Sequence, residues 1–111
     1  MKLLIPVTDP DNPVEVDARF GRAAGFVLID TVSGTRESLP NPAVTEPSGA
    51  GIKAARTVLD AGTEAVAAGH VGPKAEQVLR SGKVQIYTLP PGTLSVDRVL
   101  ELLAAGELPP Q

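Results

Sequence analysis

The residues best suited to chemistry lie in one short turn at 69–75 (GHVGPKA), which we name the histidine turn. It follows an apolar run typical of a buried strand and precedes apolar residues at helical spacing. Pro73 fits the first position of that helix, where its missing N–H is not needed. His70 and Lys74 therefore flank a helix start, whose unpaired N–H groups and partial positive charge favour anions. The same residues also fit a plain turn with a solvent-exposed histidine.

Two further segments carry residue types that bind anions. Residues 18–23 (ARFGRA), which we name the arginine loop, place Arg19 and Arg22 on either side of a Phe-Gly pair, and guanidinium groups hydrogen-bond anions well. The helix start at 48–51 (SGAG) is rich in glycine, and Lys53 lies in its first turn. Ligands of open α/β sheets bind beyond the carboxyl ends of the strands. We therefore expect both segments to lie beside the histidine turn.

The composition indicates one small acidic domain and excludes several kinds of function. The 111 residues are enough for a single hydrophobic core, and the formal net charge of −3 argues against a nucleic-acid partner. The absence of cysteine excludes a disulfide framework, a cysteine-ligated zinc and a cysteine-held iron–sulfur cluster. The opening apolar run is too short for a signal peptide, and no run is long enough to span a bilayer. The sequence therefore predicts a cytoplasmic protein with no membrane partner.

Hydrophobic patterning predicts an α/β sandwich with a mixed five-stranded central sheet. The expected strands lie at 2–8, 26–30, 35–39, 64–68 and 84–88, with a short edge strand at 14–17. The expected helices lie at 51–61, at 73–81 and from a cap at Ser95 to Gly106. Proline cannot donate to a ladder, so we expect Pro6 near the end of its strand or on an unpaired side. Residues 1–106 then form a single domain, and 107–111 form a loose tail in which two prolines prevent a helix.

Along nearly its whole length the chain resembles the dinitrogenase iron–molybdenum cofactor biosynthesis domain family. The resemblance lies in short motifs: LIPVTD at 4–9, RFGRA at 19–23, FVLID at 26–30, NPA at 41–43, GAG at 49–51 and the histidine turn. It implies a ribonuclease-H-like three-layer fold. It also implies that the domain binds or carries a metal–sulfur cluster, of the iron–molybdenum or molybdenum–copper type, or a precursor of one. A cofactor-assembly or redox protein is then the implied protein partner.

One position departs from the family pattern. The family commonly has a histidine before Phe-Gly, and this chain has Arg19 there, which cannot ligate a metal because it has no lone pair to give. Binding through charge and hydrogen bonds remains, since molybdenum–sulfur species are commonly anionic. The resemblance extends to orange-coloured members that hold a molybdenum–copper sulfide cluster without cysteine ligands. His70 is the candidate metal ligand, as a single-point contact.

These considerations together predict a set of cofactor-binding residues and no catalytic residue. The predicted residues are Arg19, Phe20, Gly21, Arg22, Gly49, Gly51, Lys53, Gly69, His70, Gly72 and Lys74. In this set Arg19, His70 and Lys74 supply positive charge, and the glycines of 49–51 and 69–72 supply backbone donors. The identity of the metal, the protein partner and the oligomeric state stay open.

Two other functions compete with cluster binding. A protein-interaction or regulatory module that has lost its cofactor is consistent with the missing histidine. A nuclease of the ribonuclease-H-like fold would need clustered carboxylates to hold two metals. Asp9 and Asp30 lie at strand ends, but no third and fourth acid follows at suitable places, so we predict that the protein is not an enzyme.

Overall fold

The observed elements follow the predicted order. In the computed structural model, which describes residues 1–92 and 94–110, five strands and three helices are present. The strands are β1 (Lys2–Val7), β2 (Gly25–Asp30), β3 (Arg36–Pro40), β4 (Ala65–Ala68) and β5 (Gln85–Thr88). The helices are α1 (Ala50–Asp60), α2 (Pro73–Ser81) and α3 (Val96–Ala104). Most predicted boundaries therefore agree with the structure to within one or two residues.

The sheet is mixed, with strand order β3-β2-β1-β4-β5. β1 pairs antiparallel with β2, and β2 pairs antiparallel with β3, so the predicted return strand is confirmed. β1, β4 and β5 run parallel to one another. Because α1 leads into β4 and α2 leads into β5, both helices begin at the edge of the sheet where these parallel strands end. That edge is the one where α/β sheets bind their ligands.

Two apolar cores separate the sheet from its helices and make three layers. Alternate residues of a strand point to opposite faces, and β1 shows this directly. Leu4 joins the core under α1 and α2, whereas Leu3 and Ile5 join the core under α3. The predicted three-layer α/β sandwich is confirmed, and the closer likeness to ribonuclease H stays a prediction.

Pro6 lies in a central strand without disrupting the sheet. It is the penultimate residue of β1, and its carbonyl oxygen accepts the Asp17 N–H at 2.9 Å. The side of Pro6 that lacks an N–H therefore faces a loop segment rather than a neighbouring strand, as expected from the chemistry of proline.

Two predicted features differ from the structure. Residues 14–17 form isolated bridges, Val7 to Val16 and Glu15 to Ser95, rather than an edge strand, because the segment pairs with two different parts of the chain at one residue each. The expected loose tail is packed over 107–110: Leu108 is buried, and the Thr88 N–H donates to the Pro109 carbonyl at 3.0 Å. The apolar contact of Leu108 with the core under α3 explains why this segment packs against the domain. Gln111 lies outside the described residues.

Candidate functional site

A cavity of about 510 Å³ opens at the edge of the sheet where both α1 and α2 begin, and we name it the carboxyl-end cavity. Its lining comes from the arginine loop, the start of α1 and the histidine turn. The lining residues are Arg19, Phe20, Gly21, Arg22, Gly49, Ala50, Gly51, Ile52, His70, Gly72, Pro73, Lys74 and Ala75. The three segments that the sequence analysis singled out therefore meet at one surface.

Backbone hydrogen bonds join the arginine loop to the histidine turn. The His70 N–H donates to the Ala18 carbonyl at 2.8 Å, and the Phe20 N–H donates to the His70 carbonyl at 3.1 Å. These two bonds form a parallel bridge between Arg19 and His70. The ring of Phe20 is buried, and its centroid lies 5.6 Å from that of Phe26 in β2. Arg19 and His70 are therefore held side by side on a backbone that is anchored in the core.

A buried amide supports the other half of the arginine loop. The Asn41 side-chain NH₂ donates to the carbonyl oxygens of Gly21 at 3.1 Å and Ala23 at 2.9 Å. Its Oδ1 accepts the Ala43 N–H at 3.0 Å, so this 3% exposed side chain has partners for both its donor and acceptor atoms. Asn41 belongs to the NPA motif at 41–43, but it was not among the predicted site residues. The available signal was the tendency of asparagine to accept the N–H two residues further on.

Glycines allow the backbones around the cavity to approach closely. A Cβ atom at Gly21 would lie 3.1 Å from the Gly51 Cα, and one at Gly51 would lie 3.3 Å from the Ala75 Cβ. Gly49, which precedes α1, has a φ of 72°, a left-handed conformation that favours glycine. The predicted glycines thus bring the arginine loop, α1 and α2 together in addition to any role as donors.

Both helix starts at the cavity lack a side-chain cap. Gly49 is the N-cap of α1 and Gly72 is the N-cap of α2, and neither position, both within the described chain, supplies a side-chain hydrogen bond. The first turns of both helices line the cavity. Backbone N–H groups without an intrahelical partner, together with the positive ends of two helix dipoles, therefore face the same space.

Charge at the cavity is positive although the whole chain is acidic. Two arginines, one lysine and one histidine line it, and no carboxylate appears among its described lining residues. Arg22 Nη1 donates to the Glu46 carbonyl oxygen, a neutral acceptor, and no ion pair within residues 1–92 and 94–110 includes Arg22. Arg19 instead pairs with Asp17, whose hydrogen bond and negative charge raise the pKa of the guanidinium. The cavity is thus suited to an anion.

All but two of the predicted residues line the cavity, the exceptions being Lys53 and Gly69. Lys53 Nζ bonds Glu46 Oε1 at 2.6 Å, so its charge is compensated away from the lining. Gly69 packs against Ala18, where an added Cβ would lie 3.1 Å from the alanine Cβ. The lining residues not predicted as part of the site are Ala50, Ile52, Pro73 and Ala75, which adjoin predicted ones in the sequence.

The residues at the cavity do not form a complete set of metal ligands. Within 1–92 and 94–110, no group of three or more His, Asp or Glu side chains is placed to hold a metal ion, and the chain has no cysteine. His70 offers one imidazole, whereas closed protein sites use about four ligands. The donor set fits an anionic species that brings its own ligands and is held mainly by N–H groups.

Comparison with known families agrees with the resemblance. The dinitrogenase iron-molybdenum cofactor family matches residues 1–106. The chain belongs to this family. The family and its structural neighbours indicate a small cofactor-related protein.

Relatives of known structure share the whole fold. The apo form of the orange protein from Desulfovibrio gigas is 32% identical, with a TM-score of 0.92 over 99% of this chain and 92% of that one. An NMR structure of a Thermotoga protein of the DUF35 family is 28% identical, with a TM-score of 0.82 over 98% of this chain and 91% of that one. An uncharacterised protein of Methanocaldococcus jannaschii is 27% identical over 111 residues, which cover 97% of this chain and 89% of the relative.

In the described part of the chain, no helix is long and apolar enough to cross a membrane.

Proposed function

We propose that this protein binds and carries an anionic metal–sulfur cluster, of the iron–molybdenum or molybdenum–copper sulfide type, or a precursor of one, without catalysing a reaction. The main support is the convergence of two uncapped helix starts and four basic side chains on the carboxyl-end cavity. Family membership and the likeness to the orange protein support the choice of cargo.

The backbone supplies the first part of the proposed binding surface. Each helix start contributes about half a positive charge and N–H groups that lack an intrahelical acceptor. The N–H groups of residues 50–52 in α1 and of residues 74–75 in α2 belong to these first turns. Pro73 has no N–H, so α2 offers fewer donors than α1. Anionic sulfide or oxide groups of a cluster would accept hydrogen bonds from these N–H groups.

Side chains supply the second part. Arg19, Arg22 and Lys74 contribute charge at the rim, and His70 offers one ring nitrogen as a single-point ligand to a metal of the cluster. The other metal ligands would be the sulfides of the cluster itself, because the chain has no thiol. Such a mode holds the cargo without a covalent cage and suits release to a cofactor-assembly or redox protein.

An amide NMR titration with tetrathiomolybdate, with and without copper(I) and under anaerobic conditions, tests the proposal. We expect chemical-shift changes confined to 18–23, 48–53 and 69–74, together with a visible absorbance band. The double variant Arg22→Ala/Lys74→Ala should weaken binding at least tenfold, since the loss of even one charged contact costs about 1.5 kcal/mol.

A matched control removes the same amount of charge elsewhere. Arg36→Ala/Arg56→Ala alters two exposed arginines that do not line the carboxyl-end cavity, and it should bind as the wild type does. Equal weakening in both double variants would show general electrostatic attraction rather than a site. An absence of shifts with either reagent would contradict cluster binding and favour the protein-interaction module.

A further inference from the structure

Asp17 is a buried carboxylate that lies just outside the carboxyl-end cavity. It is 8% exposed, and its backbone N–H donates to the Pro6 carbonyl at 2.9 Å, which ties it to the end of β1. Burial of a carboxylate is unfavourable unless the group is paired and hydrogen-bonded. Burial and the bond to Pro6 therefore fix the position of Asp17, and a positively charged side chain has to lie next to its carboxylate.

That partner is Arg19. Asp17 Oδ1 accepts the Arg19 backbone N–H at 2.9 Å and the Nε–H at 3.3 Å, while Oδ2 accepts from Nη2 at 3.3 Å. The Arg19 side chain is nevertheless 68% exposed and lines the cavity. A guanidinium has five N–H donors, and Asp17 takes only two of them. Three donors remain for another acceptor.

We propose that Asp17 is a positioning residue for the anion site, because it holds the Arg19 guanidinium in one orientation at the cavity while leaving three donors free. This inference rests on the proposed function. An exposed arginine without such a partner samples many rotamers, and binding must then restrict them. Asp17 already restricts the Arg19 side chain before the anion binds, so binding itself does not have to do so.

A competing role for Asp17 has the opposite consequence. If the carboxylate chiefly neutralised Arg19, its removal would strengthen anion binding, because the full guanidinium charge would be released. If it chiefly orients Arg19, its removal weakens binding. Arg22 serves as the internal reference, since it lines the same cavity but donates to a neutral carbonyl oxygen of Glu46.

Tetrathiomolybdate affinity measured under anaerobic conditions separates these roles. Asp17→Asn keeps the shape and one acceptor oxygen but loses the charge, and we expect affinity to fall about two- to tenfold, the cost of restricting one long side chain. Arg19→Ala should fall further, and the double variant Asp17→Asn/Arg19→Ala should bind no more weakly than Arg19→Ala alone. The Arg19 Nε–H resonance should exchange with water faster in Asp17→Asn, with no change for Arg22.

Arg19→Lys provides a second test that leaves the buried carboxylate in place. Lysine keeps the charge but presents it as a point, without the fork that can serve Asp17 and an anion together. We expect it to lose about as much affinity as Asp17→Asn. Unchanged or tighter binding by Asp17→Asn, or wild-type binding by Arg19→Lys, would overturn the role of Asp17. A wild-type protein that fails to bind would instead overturn the proposed function itself.

Discussion

Two cavities of similar volume lie at opposite ends of the sheet. The carboxyl-end cavity measures about 510 Å³, and so does a second cavity, which we name the amino-end cavity. The second is lined by Met1, Ile29, Asp30, Thr31, Gly34, Arg36, Leu100, Leu103 and Ala104. Volume therefore does not distinguish a candidate site in this fold.

The distinguishing property is the direction of the helices. α1 and α2 begin at the carboxyl-end cavity, whereas α3 ends beside the amino-end cavity, where Ala104 is its last residue. A helix start carries partial positive charge and a helix end carries partial negative charge. Arg36 of the amino-end cavity is paired with Asp97 at 2.8 Å, much as Arg19 is paired with Asp17, but Asp30 adds a carboxylate to the lining of the amino-end cavity. The two cavities therefore differ in backbone polarity and in the presence, among the described lining residues of the carboxyl-end cavity, of two cations outside any ion pair, Arg22 and Lys74.

The largest expected effect concerns the arginines of the two cavities. Arg19→Ala should weaken binding of tetrathiomolybdate by about 10- to 100-fold, because it removes charged hydrogen-bond donors from the carboxyl-end cavity. Arg36→Ala should leave the affinity within about twofold of wild type. Isothermal titration under anaerobic conditions measures both, and thermal unfolding checks that both variants fold. Similar losses in the two variants would remove the distinction between the cavities.

The next effect concerns the support of the arginine loop. Asn41→Ala leaves two carbonyls and one N–H without their buried partner, and should lower the free energy of unfolding by about 3 kcal/mol. Asn12→Ala, at an exposed turn, should change it by no more than about 0.5 kcal/mol. Urea unfolding measures both values. A small effect at Asn41 would mean that the loop keeps its conformation without this amide.

Replacing a glycine by alanine should destabilise the fold more at the carboxyl-end cavity than at the amino-end cavity. Gly21→Ala places a Cβ 3.1 Å from the Gly51 Cα, so backbone must shift, and we expect a loss of about 2 kcal/mol in unfolding free energy. Gly34→Ala at the amino-end cavity meets no atom within 4 Å, and only its φ of +79° opposes alanine, for about 1 kcal/mol. Only Gly21→Ala should also weaken tetrathiomolybdate binding. Equal binding losses would contradict the view that close packing shapes the carboxyl-end cavity.

The smallest effect is a pH dependence at the amino-end cavity. The backbone N–H groups of Val32 and Ser33 donate to Asp30 and lower the pKa of its carboxyl. A lowered folded-state pKa stabilises the fold above the ordinary aspartate value of about 3.9, and this contribution disappears as the pH falls through the folded-state value. Asp30→Asn should therefore be less stable than wild type at pH 7, with the difference shrinking towards pH 2. Urea unfolding at several pH values measures it, and a constant difference would contradict this account.

Local sequence features were enough to predict most elements. α2 was predicted at its observed bounds, because a proline at its first position and Gly82 after its end mark both termini. The side-chain cap of α3 was likewise predicted, and Ser95 Oγ accepts the Arg98 N–H at 3.1 Å. Residues 14–17 and 107–110 were misjudged, since their conformation depends on which distant segment they contact.

The sequence by itself determined the order of strands and helices, the family and the residue types available for binding an anion, because these follow from local periodicity, turn residues and short motifs. Only the tertiary structure decided which cations share a cavity. Lys53 and Lys74 both lie in the first turn of a helix, yet Lys53 bonds Glu46 away from the lining while Lys74 lines the carboxyl-end cavity. Asp17 and Arg19 are close in sequence, but the burial that makes their pairing necessary comes from the packed sheet. Sheet order and close glycine contacts bring together segments that are far apart in the chain, and local sequence patterns do not predict such contacts.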